Sequence, residues 1–217
     1  MDYESKILLN RLVEAIDSPD GWTIALTIIN TIAVIGIAYM QIRIQRQQTK
    51  MQEHKMYKDL YSLLSSIHGI GGSTIHNIAL VLKNYCSNID QEFCIKYLEK
   101  KKLEIYDLTL KLYEHKIDLE LKANIREIEY INYESFLCAA SYLIDDFVFL
   151  MKDNEIQSFY IDNNQRYNEK ELIDIILANI ENTKRADLKR KFDFYMNLKG
   201  RIAGYNLLAS LKKHCIL

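Results

Sequence analysis

The 21 residues from Trp22 to Ile42, "WTIALTIINTIAVIGIAYMQI", contain no Asp, Glu, Lys or Arg. As a helix rising about 1.5 Å per residue, this stretch covers roughly 30 Å, the thickness of a bilayer's hydrocarbon core. A buried helix of that length in a soluble domain usually carries charge on its rim, and this one carries none. Trp22 and Tyr39 lie near the two ends, where amphipathic rings favour the headgroup region. The stretch therefore predicts a transmembrane helix over 21–42. The preceding residues are acidic and no small-x-small site follows, so a cleavable signal peptide does not fit.

The flanks set an expected orientation. Residues 1–20 hold Asp2, Glu4, Glu14, Asp17 and Asp20 against Lys6 and Arg11. Residues 42–58 hold Arg43, Arg46, Lys50, Lys55 and Lys58 against Glu53. Positive flanks stay in the cytoplasm. This predicts a single pass through a bacterial inner membrane, with the N-terminus outside and residues 43–217 in the cytoplasm.

Inside the span, Thr23, Thr27, Asn30 or Thr31, Val34 and Ala38 recur every three or four residues. That spacing places them on one helical face. An amide near mid-membrane is costly unless it meets another helix or water. The stripe is read as a self-association face, and a water-filled pore is one form such an assembly can take. The alternative is that each Thr satisfies its own helix's carbonyls and Asn30 is tolerated.

The remaining chain is expected to be all-α. It has one proline, seven glycines and abundant Leu, Ile, Lys and Glu, a composition poor in breakers. The expected layout is a short amphipathic helix within 1–20, the span at 21–42, a stalk helix over 43–68 and a cytoplasmic bundle over 69–217. Gly69, Gly71 and Gly72 in "HGIGGST" are read as a tight hinge between helices. Further helices are expected at about 74–86, 90–116, 120–131, 133–152, 168–182, 184–199 and 201–214. The 90–116 helix takes Phe93, Ile95, Leu98, Leu103, Tyr106, Leu110 and Tyr113 as its apolar positions. "SFLCAASYLIDDFVFLM" at 135–151 is read as the central core helix. A hairpin is expected at 157–168, and Asn168 with Glu171 as a capping pair.

Little chemistry is legible. Cys86, Cys94, Cys138 and Cys215 form no C-x-x-C pair and no metal-site spacing; three are expected to pack as small apolar residues. His68 and His76 flank the glycines and could approach each other. Asp145 and Asp146, being adjacent, cannot share one helix face, and one is expected to lie buried against Arg126, Lys184 or another basic group. No catalytic, cofactor or metal residues are assigned. The basic cluster Lys184, Arg185, Lys189, Arg190 and Lys191 is a candidate patch for RNA, an acidic partner or anionic lipid. Its simpler reading is a solvated helix face balanced by the acidic helix before it. A net charge of −1 argues against a dedicated nucleic-acid binder and leaves direct nucleic-acid binding open.

In layout, with the span at 22–42, the stalk and the helical region 56–214, the chain resembles the membrane accessory proteins of type VI-B CRISPR systems. The resemblance covers the whole chain and rests on layout rather than on a motif. It implies a divergent HEPN-like helical domain, assembly as a membrane pore, and a role reinforcing an RNA-guided nuclease in antiviral defence. An active HEPN ribonuclease needs Arg-x4–6-His. Here Arg46 precedes His54 by eight positions and Arg201 precedes His214 by 13, so a HEPN-like bundle without catalysis is what the resemblance leaves. The expected function is an oligomeric effector that perturbs or permeabilises the membrane. The alternative is a tether whose bundle docks a protein or nucleic-acid partner.

Overall fold

The structure, a computed structural model, describes residues 6–7, 10–11, 13–14, 19–86, 90–153, 167–181 and 185–215. The interfacial helix expected at 3–17 and the hairpin expected at 157–168 fall largely outside the described residues, and Lys184 lies outside them. Among the described residues the chain forms seven helices and no strand. They are α1 (Pro19–Cys86), α2 (Gln91–Glu114), α3 (Lys116–Leu121), α4 (Glu127–Lys152), α5 (Glu169–Glu181), α6 (Ala186–Ala203) and α7 (Leu207–Cys215). The chain divides into two units, Met1–Glu53 and His54–Leu217.

The first unit is dominated by the apolar part of α1. Among its described residues α1 has one stretch long and apolar enough to cross a membrane, and none of that stretch is buried. Trp22, Ile28, Ile32, Ile35, Tyr39 and Ile42 all lie exposed. Soluble monomers rarely expose an apolar patch above a few hundred Å², and larger ones mark contact with a membrane or another protein; by length and composition this helix could span a membrane.

The second unit is a helical bundle that begins at His54, earlier than the expected boundary at residue 69. Leu60, Leu63, Leu64 and Ile67 are already core residues. The reason is periodicity: past the polar run ending at Glu53, apolar side chains recur every three or four positions and form a stripe to bury. α4 packs between α2 and α6, and α5 packs on α6. Phe136, Leu137, Ala140, Leu143, Ile144 and Phe147 of α4 are buried at 1 % exposure or less, which bears out the central core helix. Phe136 stacks on Tyr195 of α6 with ring centroids 5.3 Å apart. Tyr57 of α1 stacks on His214 of α7 at 4.7 Å.

Four departures from expectation have physical causes. α1 runs unbroken through Gly69, Gly71 and Gly72, and no glycine has a positive φ, so "HGIGGST" is helix and not a hinge. Its role is close approach: the Lys199 stem of α6 comes within 3.3 Å of where a Gly71 Cβ would stand, and Tyr195 donates its hydroxyl to the Gly71 carbonyl at 2.8 Å. Secondly, α4 starts at Glu127 with no break near residue 132. Asn124 takes the left-handed turn at φ 53, and the Glu129 carboxylate accepts from the Arg126 backbone N–H at 3.0 Å, capping the helix. Thirdly, α6 passes through Gly200 and ends at Gly204. Fourthly, α2 is apolar on two faces. Cys94, Leu98, Ile105 and Leu112 face the core, whereas Phe93, Leu103, Tyr106, Leu110 and Tyr113 are exposed. The expected apolar set merges the two stripes and misses Ile105 and Leu112.

The expected capping pair is present. The Asn168 N–H donates to Glu171 Oε2 at 2.7 Å and the Glu171 N–H to Asn168 Oδ1 at 3.0 Å, the reciprocal pair of a capping box.

Candidate functional site

Two surfaces carry the candidate residues, one in each unit. Along the apolar stretch of α1, each residue turns the helix by about 100°, so Thr23, Thr27, Asn30, Thr31, Val34 and Ala38 fall within an arc of roughly 100°. The Thr27 hydroxyl donates to the Thr23 carbonyl at 2.8 Å, and the Thr31 hydroxyl to the Thr27 carbonyl at 2.7 Å. These hydroxyls thus satisfy their protons within their own helix and keep oxygen lone pairs outward. Asn30 is exposed, and its carboxamide has two donors and an acceptor to satisfy.

In the bundle, the basic cluster is largely neutralised by the chain itself. Arg185 donates to Asp153 at 2.9 Å and lies 5.8 Å from the Phe149 ring centroid. Lys191 bridges Asp146 at 2.8 Å and Asp187 at 3.1 Å. Lys189 meets Glu181 at 3.4 Å. Arg190 is exposed. The acidic side chains come from α4 and α5 as well as α6, so the cluster presents less field than its sequence suggests.

The acidic and histidine candidates do not converge. Asp145 pairs with Lys102 of α2 at 2.7 Å and Asp146 with Lys191 of α6 at 2.8 Å, basic groups other than the two named in the expectation. The two carboxylates thus brace α4 to opposite neighbours. His68 and His76 both lie on α1, eight residues apart, or roughly 12 Å along the axis. His76 is exposed. His68 Nε2 meets the Tyr133 hydroxyl at 2.8 Å, and burial holds its pKa below the ordinary histidine value. The Tyr133 ring packs on Tyr205 at 5.8 Å, whose hydroxyl accepts from the buried Asn132. This polar chain is a satisfied core network. Among the described residues no group of three His, Cys, Asp or Glu could hold a metal.

Of the cysteines, Cys94 is buried and Cys138 exposed, and both are free. Burial first, and then the Glu134 charge, push the Cys138 thiol pKa up, which disfavours a nucleophilic thiolate.

What sequence reasoning missed is a surface across α2, α4 and α6. A groove of about 490 Å³ runs between α2 and α4, lined by Leu103, Tyr106, Leu137, Cys138, Ser141 and Tyr142 among others. A second, of about 330 Å³, shares Cys138 and Tyr142 and continues to Lys191 and Phe194 of α6. The signal lay in the spacing of 103, 106, 110, 113 and 117, which is a heptad stripe separate from the core one.

No family model, curated protein or solved structure matches this chain.

Proposed function

We propose that this chain is a membrane-anchored effector that works as an oligomer and perturbs or permeabilises a bacterial inner membrane. α1 crosses the bilayer once over residues 22–42, with the N-terminus outside and the bundle in the cytoplasm. The observation that carries the reading is the exposed, charge-free helix with one polar stripe. Thr27 and Thr31 are inexpensive in lipid because their own backbone takes their protons. Asn30 is different: an amide in hydrocarbon without partners costs about 2–7 kcal/mol. A neighbouring span or a water-filled centre removes that cost. The layout resemblance to type VI-B CRISPR accessory proteins supports an antiviral setting and an RNA-guided nuclease as the partner upstream.

The test is dye release from liposomes carrying the inserted full-length protein, beside Asn30→Leu with Thr27→Val. Leakage that the double substitution removes supports the proposal. Leakage unchanged by it, or wild-type liposomes that stay tight with and without the nuclease partner, would overturn it.

A second reading is a tether, in which the span only places the bundle at the membrane for a protein partner. The exposed apolar surface of α2 and α4 favours it. The basic cluster supports it less, since Arg185, Lys189 and Lys191 are paired within the chain. Under this reading a substitution on the α2 surface removes partner binding and leaves bilayers intact.

A further inference from the structure

We infer that the outer face of α2 is a parallel docking surface for α2 of a second copy of this chain. This rests on the oligomer reading above and deepens it by naming the contact through which bundles meet.

The face is built for burial and lacks a cover among the described residues. Leu103 is 68 % exposed, Tyr106 60 %, Leu110 44 %, Tyr113 53 % and Ile117 67 %. They repeat at intervals of three and four, the a and d positions of a heptad. The stripe continues into α3 because the backbone bonds His115 N–H to Lys111 O and Leu119 N–H to His115 O hold that junction nearly helical. It lies roughly 120° around α2 from the core stripe of Leu98, Ile105 and Leu112 at about 100° per residue. The bundle buries the core stripe and leaves this one exposed.

The area suits a partner of comparable size. With aromatic side chains at about 150–250 Å² each, the exposed parts of these residues with Tyr142 and Phe194 amount to on the order of 800 Å². One side of a standard interface is of the same size, about 800 Å².

Charge selects both the occupant and its direction. With Leu103 and Leu110 at a, Lys102 holds a g position and Asp107 the following e position. Within the chain they pair with Asp145 and Lys111, yet 41 % and 60 % of their side-chain surface stays exposed. In a parallel pair, g of one helix meets the following e of the other, so Lys102 of each copy meets Asp107 of the other, twice by symmetry. The antiparallel pair instead sets Lys102 against Lys116 and Asp107 against its own equivalent. The groove beside α2 lies on the Lys102 side, where Thr109 and Tyr142 also line it, and gives the second copy's flank a seat.

The test uses full-length protein in liposomes, with Cys86, Cys138 and Cys215 replaced by Ser and Leu110→Cys added. Oxidation is expected to give a covalent dimer, because equivalent a positions meet in a parallel pair. Glu104→Cys, off the stripe, is expected to give none. Charge variants supply the second measurement. Lys102→Asp and Asp107→Lys are each expected to weaken dimerisation by about tenfold. Mixing the two is expected to restore it, since the carboxylate introduced in the first variant then meets the ammonium introduced in the second, and the other cross-pair is the native Lys102 with the native Asp107. Helical circular dichroism checks folding of each variant alone. No Leu110→Cys dimer, or no recovery on mixing, would overturn the inference. So would a stripe that stays open to labelling in liposomes and is protected only in whole cells, which would assign it to another protein. Dye release is read in the same liposomes: a cross-linked dimer that does not leak with or without the nuclease partner removes the permeabilising function and leaves this interface standing.

Discussion

Replacing both Gly69 and Gly72 with Ala should stabilise the protein. Both glycines are exposed within an unbroken helix, neither has a positive φ, and a Cβ at either meets nothing within 4 Å. Each substitution then acts through the backbone alone, where Ala is better than Gly in a helix interior by about 0.8–1.0 kcal/mol. The pair are close in sequence but share no contact, so the gains add to about 2 kcal/mol. For a protein of this size that raises Tm by about 4–8 °C. Gly71 is an internal control. There a Cβ comes to 3.3 Å of Lys199 Cγ, so Gly71→Ala must displace a lysine stem and gains less. Gly71→Val also crowds that contact and should cost about 1–3 kcal/mol. The assay is thermal unfolding of the full-length variants in one detergent, followed by helical circular dichroism. A fall in Tm for Gly69→Ala with Gly72→Ala would refute the reasoning. It would mean that these glycines turn the chain, and that a hinge exists where a straight helix is described.

Three further outcomes follow from the core and its surface. Tyr133→Phe removes the hydroxyl that meets His68 Nε2 at 2.8 Å and should cost about 1 kcal/mol in denaturant unfolding; no change would mean that solvent already satisfies the imidazole. His68 itself sets a pH dependence. Burial lowers its folded pKa below 6.5, so the unfolded chain binds the proton first as pH falls. Its contribution is fully present above the unfolded pKa and is lost as pH drops from there through the folded value; His68→Gln should flatten the wild-type loss as pH falls below the ordinary histidine value of about 6.5, and identical slopes would count against it. At Cys138, desolvation and then the Glu134 charge raise the thiol pKa, so Glu134→Gln should speed alkylation at neutral pH through a larger thiolate fraction; an unchanged rate would count against this.

What could be read from the sequence was what depends on neighbours a few residues apart. The charge-free span, the polar stripe within it, the Asn168–Glu171 pair and the all-helical composition are of this kind. What could not be read depends on the other side of a contact. Three glycines in four residues look the same whether a chain turns there or lets another helix approach, and only Tyr195 and Lys199, far later in the chain, separate the two. Asp145 and Asp146 needed partners, and their sequence could not say that these would be Lys102 and Lys191. The acidic helix expected to balance the basic cluster supplies Glu181 to Lys189, whereas the partners of Arg185 and Lys191, Asp153 and Asp146, lie elsewhere in the chain and could not be named from it. Within α2 the error was one of counting stripes: the expected apolar set joins Leu98 of the core stripe to 103, 106, 110 and 113 on another face, and leaves out Ile105 and Leu112.

That second stripe bears on how the proposed assembly would be divided along the chain. If α1 crosses a bilayer as proposed, its stripe offers one amide and a few small residues, and polar contacts between spans are worth only about 0.6 kcal/mol on average. The α2 face offers a larger apolar area with weak exposed ion pairs, each about 0–1 kcal/mol. Neither alone ensures a stable assembly. Carried on one chain, the first of these proposed contacts would make the second intramolecular, and the joint affinity would exceed either by factors on the order of 10² to 10⁴, set by effective concentration. Losing Asn30, or losing Leu103 and Leu110, should therefore weaken assembly by large and comparable factors, with the combined variant monomeric. If removal of the bundle stripe left the oligomer unchanged, assembly would reside in the span alone, and the exposed apolar surface of α2 would need a different occupant.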